Sequence, residues 1–402
     1  MSTPVSSVLK PERLRSLDAI RGFDMFWIIS GEEIFHGLAE VVQHKYHLYR
    51  NPVNWQISTN ANLSFLERLI LGLSNQLHHS VWNGFTFYDL IFPLFIFIAG
   101  ISMPFAYKNK TQFIADGQVK HQVYSHLIKR TLLLVLLGIL VNGALQFKGY
   151  EHTRFASVLG RIGISCFFAA LIYLNFSLKE QITWLIGLLA GYWAMLLFIP
   201  VPGHGAYVLT PEGSLTSYID QLFLPGKLHR TVYDPEGILG TIPAIATALL
   251  GVFTGTLLSM QAHNLTPVRK LVYLTVSGLI LLGLGSLWNI WLPINKTLWT
   301  SSFVLYAGGW SLLLFSLFYG VIDVARFAAW SKPFTWIGMN SILIYLIAHG
   351  MLNLVSSSEF FLGGALKFID PDWHRPVLWT GVLLIQLWLL CELTNRKIFL
   401  KL

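Results

Sequence analysis

Apolar residues dominate this chain in long unbroken runs, each followed by a short polar break. Runs of about 20 apolar residues, the length that crosses a bilayer core as a helix, predict spans over 17–40, 86–107, 124–147, 157–177, 181–200, 237–260, 270–291, 300–323, 334–352 and 377–395. The runs are continuous rather than alternating, which argues against barrel strands and for helices that satisfy their own backbone. The expected fold is all-α: a polytopic integral membrane protein with about ten transmembrane helices in one bundle. No internal repeat or composition change divides the chain, so 1–402 reads as a single domain with long loops at about 41–85 and 201–236. In the first of these, "NLSFLERLILGLSNQLHHSVW" spaces its apolar residues as a helix does, predicting an interfacial helix before the second span.

Composition narrows the class. Hydrophobic residues make up 54% of the chain and charged residues 12%, with mean hydropathy +0.57. A soluble domain carries about a quarter charged residues. The net charge of +8 is explained by basic residues at one side of a membrane, so no nucleic acid is expected. Lys10, Arg13, Arg15, Lys108, Lys110, Lys129, Arg130, Arg269, Lys270, Arg396 and Lys401 fall on one side. Lys45, Arg50, Arg154, Lys227, Arg230 and Lys296 are spread over longer loops on the other. Basic residues mark the cytoplasmic side, which puts both termini there and the loops at 41–85 and 201–236 outside. The polar opening residues lack a cleavable apolar core, so the first span is expected to be its own anchor. Cys166 and Cys391 lie within apolar runs and read as packing residues.

Ionisable residues in or against a span are costly and mark candidate sites. In "LDAIRGFDMFWIISGEEIFHGLAE", Asp18, Arg21 and Asp24 share a helical face. They are either a snorkelling arginine with its partners or an anion-binding mouth. Glu32, Glu33 and His36 sit at the opposite end. In "LHHSVWNGFTFYDLIFPLFIFIAG", His79 precedes Trp82 and Asn83 where a loop re-enters the membrane, and Asp89 lies about one turn inside. A neutral imidazole there is either a wet surface group or a base near neutral pH; His78 reads as surface. Asp234 and Glu236 open a span in "YDPEGILGTIPAIATALLG", as helix-start acids or as contacts for a polyol or ammonium group. Arg161, Asn295, Lys296, Asn340 and Ser341 complete the set, and His349 ends a span facing outward. Polar groups on both faces leave two classes open, a transporter and a transmembrane enzyme.

The segments "RLRSLDAIRG", "HSVWNGFTFYDLIFPLFIFIAG", "SVLGRIG", "SYIDQLFL", "YDPEGILGTI", "LPINKTLW" and "GMNSILIYL" make the chain resemble the transmembrane N-acetyltransferases typified by heparan-α-glucosaminide N-acetyltransferase and bacterial NagX-like proteins. The resemblance implies transfer of an acetyl group from cytosolic acetyl-CoA to the amine of glucosamine, or of a glucosamine-containing sugar, across the membrane. The family's catalytic histidine falls on His79. A functional asparagine of its first span falls on Glu32, a departure that substitutes a carboxylate. His79, with Glu32 and Asp89, is then the expected catalytic group, as a base or a transient acetyl carrier. Arg21, Asp18, Arg161, Asn340 and Ser341 are expected at CoA, and Asp234, Glu236, His36, Trp82, Asn83 and Lys296 at the acceptor. No metal is expected. A homodimer in the bacterial inner membrane suits the resemblance and the short loops. The rivals are an amino-sugar transporter and an O-acyltransferase of envelope polysaccharide.

Overall fold

A computed structural model describes residues 14–48, 62–107, 117–262 and 264–400; Lys10, Arg13, Arg50, Lys108, Lys110 and Lys401 of the charge count lie outside them. Among the described residues the chain is helical, with two isolated bridges and no strand. The first helical stretch is α1 (Arg15–Phe26), a π-helical turn over Trp27–Gly31 and α2 (Glu32–Tyr46). A capping box on Ser64 and Glu67 starts α3 (Phe65–Gln76), the helix expected before the second span; Phe65, Leu66 and Leu69 are exposed on it. Then follow α4 (Phe87–Ala106), α5 (Gly117–Val141), α6 (Val158–Asn175) and α7 (Leu178–Phe198). After the short loop helix α8 (Leu215–Phe223) come α9 (Thr241–Ser259), α10 (Pro267–Trp288) and α11 (Ser301–Tyr319). The chain closes with α12 (Lys332–Met339), α13 (Ser341–Leu346), α14 (Leu354–Leu366) and α15 (His374–Asn395).

Eight of these helical segments are long and apolar enough to cross a membrane, so the chain is an all-α, multi-pass membrane protein. The first stretch is not among the eight because it carries Asp18, Arg21, Asp24, Glu32 and Glu33. The span expected over 334–352 is not one helix. It breaks at Asn340, whose side chain bonds Ile398 O and Leu400 N, and the segment Ser341–His349 then bends by 75° into α14.

Helices α4 and α9 form the centre. They approach so closely that a Cβ on Gly100 would overlap the carbonyl of Ala248, and one on Gly251 that of Phe97; small residues are what let helices touch backbone to backbone. Helices α6 and α11 flank this pair. On the outer helices α5, α7, α10 and α15, side chains such as Leu132, Ile186, Leu279 and Leu384 are exposed, as hydrocarbon-facing residues are. The apolar periphery thus surrounds a core that includes polar groups, and those groups define the site.

Candidate active site

The loop 77–86 folds back on the start of α4, and Asp89 organises it. Its side chain is buried, with Oδ2 accepting from the backbone N–H of Ser80 and of Thr86, both at 3.1 Å. Its other oxygen is 2.8 Å from Nδ1 of His79. A carboxylate acceptor at Nδ1 selects the tautomer with its proton there and leaves Nε2 with a lone pair. The His79 side chain is 49% exposed, and its open side faces a cavity. Burial and the nearby Lys296 ammonium hold its pKa below the ordinary imidazole value, with Asp89 and Glu32 pulling the other way. The ring therefore holds a proton less readily than an ordinary imidazole does.

Lys296 reaches this ring from a different loop, with Nζ 3.0 Å from Nε2 and 3.2 Å from Nδ1. Burial lowers the ammonium's pKa against the pull of Asp89. The two loops are tied together: Gly84 N donates to Ile294 O at 2.8 Å, and Asn295 Nδ2 to Asn83 Oδ1 at 3.1 Å. Tyr88 lies against His79, ring centroids 4.7 Å apart, and donates its hydroxyl to Glu32. Glu32 is 3.5 Å from Nε2 of His36, whose Nδ1 bonds Ser74 at 2.8 Å.

Segments distant in sequence clasp one another here. Arg161, fully buried, donates to Gly237 O at 2.8 Å and lies 5.1 Å from the Trp299 ring. Asp220 Oδ1 accepts from Ile238 N at 2.8 Å, and a Cβ on Gly237 would fall inside the Asp220 carboxylate. Burial pushes the Asp220 carboxyl up to about 6. Arg154 takes both oxygens of Asp234, at 2.8 and 2.6 Å, and also pairs with Glu236. Burial opposes the charge on Arg154, but the two carboxylates prevail and raise its pKa.

Among the described residues, two cavities that share lining residues penetrate the bundle. One, of about 250 Å³, is lined by His79, Tyr88, Glu236, Lys296, Tyr345 and His349 among others. The other, of about 370 Å³, lies toward the far end of α4 and carries Arg21, Ser102, Tyr107 and Arg130 on its wall. Arg21 donates to Ser102 Oγ at 3.1 Å. Phe95, Leu159, Ile162, Ser341 and Ile342 line both, so the cavities meet at a largely apolar neck.

The expected residues therefore separate. His79, Glu236 and Lys296 line the first cavity, with Asp89 behind His79 and Glu32 behind Tyr88. Arg21 lines the second, and Ser341 the neck. Asp18 stands 3.5 Å behind Arg21. Arg161 lies at the His79 end, clamped to Gly237 rather than gathered with Arg21. Asn340 fastens the C-terminal segment, and Asp234 has both oxygens engaged by Arg154 and by the backbone N–H groups of His229 and Glu236. Trp82 donates to Leu209 O at 2.7 Å, Asn83 serves the loop clasp, and His36 is buried. His78, read as surface, stacks on His36 with centroids 4.1 Å apart. His349 bonds Tyr345 O through Nδ1 and shares the His79 cavity. Cys166 and Cys391 are free thiols. Among the described residues no group of three His, Cys, Asp or Glu is placed to hold a metal.

Sequence reasoning missed Tyr88, Arg154, Tyr345 and the role of Arg130 in the second cavity. An acidic pair needing a cation was a signal for Arg154; the others had none beyond position.

No protein-family model matches the chain. It is 30% identical over 378 residues to heparan-α-glucosaminide N-acetyltransferase of Homo sapiens, covering 80% of this chain and 55% of that protein. It is equally similar to the protein of that name from Mus musculus, of which the match covers 56%. The chain thus spans about half the length of the curated relatives it matches. The similarity to these heparan-α-glucosaminide N-acetyltransferases extends over four-fifths of this chain.

Proposed function

We propose that the chain is a transmembrane acetyltransferase, one domain that takes an acetyl group from acetyl-CoA at the Arg21 end and delivers it to the amine of glucosamine, or of a glucosamine-containing sugar, at the His79 end. The observation that carries this reading is an imidazole with its Nδ1 on a buried carboxylate, at the head of a cavity that meets a second, cationic one. The residues present fit the donor. Arg21 and Arg130 suit phosphates, and the apolar neck suits a pantetheine arm. The basic residues at the Arg21 end support a cytoplasmic location for it and for both termini, in a bacterial inner membrane.

An amine attacks a thioester only when unprotonated, and the nitrogen must then shed a proton. Nε2 of His79, whose pKa burial and Lys296 lower, is the base for that proton, whether the acetyl group moves directly or by way of an acetyl-imidazole. Asp89 keeps the ring in the tautomer with Nε2 free. Glu32, fixed by Tyr88, and the Glu236 carboxylate that shares the cavity serve the acceptor's hydroxyl or ammonium groups; His349 lines the same cavity as Glu236. The test is release of free CoA thiol by purified protein in detergent, given acetyl-CoA and glucosamine. Wild type is expected to release it and His79→Ala to fail. Transport of glucosamine without thiol release would replace the enzyme with a transporter, and acetylation of N-acetylglucosamine would make the transfer one to oxygen.

A further inference from the structure

Lys296 has an arrangement the fold does not require. Among the described residues no carboxylate is within ion-pair distance of its Nζ, and its polar contacts are the two ring nitrogens of His79. A cation set against an imidazole discourages the ring from taking a proton, an unfavourable placement of the kind found at functional sites. It is also firmly imposed. The backbone of 292–300 is pinned by Asn295 Oδ1 accepting Leu298 N at 2.8 Å, by buried Trp299 donating to Thr247 at 3.2 Å, and by the clasp to Gly84 and Asn83. The distances to the two nitrogens are nearly equal. An in-plane ammonium so placed would overlap the Cε1–H between them, so Nζ lies out of the ring plane. Nε2 meets the ammonium at 3.0 Å, in the cavity that both residues line.

We propose that Lys296 is a catalytic residue, the electrophile that holds the oxyanion formed when the acceptor attacks the thioester. The assignment rests on the acetyl-transfer reading. The acceptor nitrogen forms a bond to the carbonyl carbon, and the carbonyl π pair moves to oxygen beside the ammonium. The nitrogen's proton goes to Nε2 of His79. When the pair returns, the C–S bond breaks and the thiolate leaves, taking that proton as the free thiol. Amine and thioester become amide and thiol, with nothing else consumed. A preplaced cation of this kind acts where charge develops and so favours the transition state over the bound substrates.

The experiment is steady-state thiol release from acetyl-CoA and glucosamine by the full chain in detergent. Lys296→Met is expected to lower kcat by about 10²–10³-fold, as loss of an oxyanion contact does, with KM for both substrates little changed. Lys296→Arg, which keeps the charge with a different shape, is expected to recover part of kcat. Thermal unfolding in detergent screens each variant, with Lys296→Gln replacing the Met variant should it fail to fold. A raised KM for glucosamine at wild-type kcat would overturn the proposal and make Lys296 an acceptor contact. Equal loss in the folded Met and Arg variants would overturn it too. Thiol release absent from wild type would instead sink the acetyl-transfer reading.

Discussion

At the scale of the residue, the account turns on what each neighbour does to His79. Asp89→Asn keeps the shape, but its one amide oxygen is held by the N–H groups of Ser80 and Thr86, so its NH2 faces Nδ1 and reverses the tautomer. kcat is expected to fall by about 10²–10⁴-fold, the range of general-base contributions; thiol release measures it. The pH profile gives a second check. Burial and Lys296 lower the pKa of His79 while Asp89 and Glu32 raise it, so the ring loses its proton below the pH of an ordinary histidine. The acid limb of kcat/KM is expected there, and removing the cation in Lys296→Met moves it to higher pH. An unmoved limb would mean that another group titrates. Away from the chemistry, Arg154→Met would leave buried Asp234 without its cation, and a loss of about 3–5 kcal/mol is expected, as when a buried pair is broken, visible as a lower unfolding temperature.

Several of these residues were readable in the chain. His79 and Asp89 stood out because ionisable groups at a membrane edge need a reason, and the motif around them named one. Asp234 and Arg161 also stood out, but charge density alone does not say whether a group meets a ligand or a protein partner. Arg154 and Gly237 O answer that question only once the loops are folded. Tyr88 was hidden among many aromatic residues, and its value comes from the short reach to Glu32 on another helix.

Among the elements, eight of the expected spans were legible because a run of apolar residues has few other uses; the first stretch is helical as expected, but its charges keep it out of that set. The broken span was not. Asn340 looks like an ordinary polar packing residue until its amide is seen holding Ile398 and Leu400. The central pair, α4 and α9, is held by the absence of side chains. Gly251→Leu would drive a side chain into the carbonyl of Phe97 and force the helices apart, and because α4 carries Asp89 at its start the change reaches the site. Lower thermal stability and lower activity together are expected; a variant with wild-type stability would show that the contact is dispensable.

For the whole molecule, the claim is that two cavities, entered from opposite ends, serve one reaction. Arg21→Ala combined with Arg130→Ala is expected to raise KM for acetyl-CoA about tenfold or more, as loss of charge-assisted phosphate contacts does, with KM for glucosamine unchanged. Ile342→Trp at the neck is expected to obstruct the pantetheine arm and stop transfer. The most direct measurement uses sealed proteoliposomes in which acetyl-CoA is confined to one face and glucosamine to the other, with orientation of the protein determined separately. The account expects N-acetylglucosamine to form on the side of the His79 loop when acetyl-CoA is supplied only on the side of Arg21. Product formed only when both substrates share a face would contradict it.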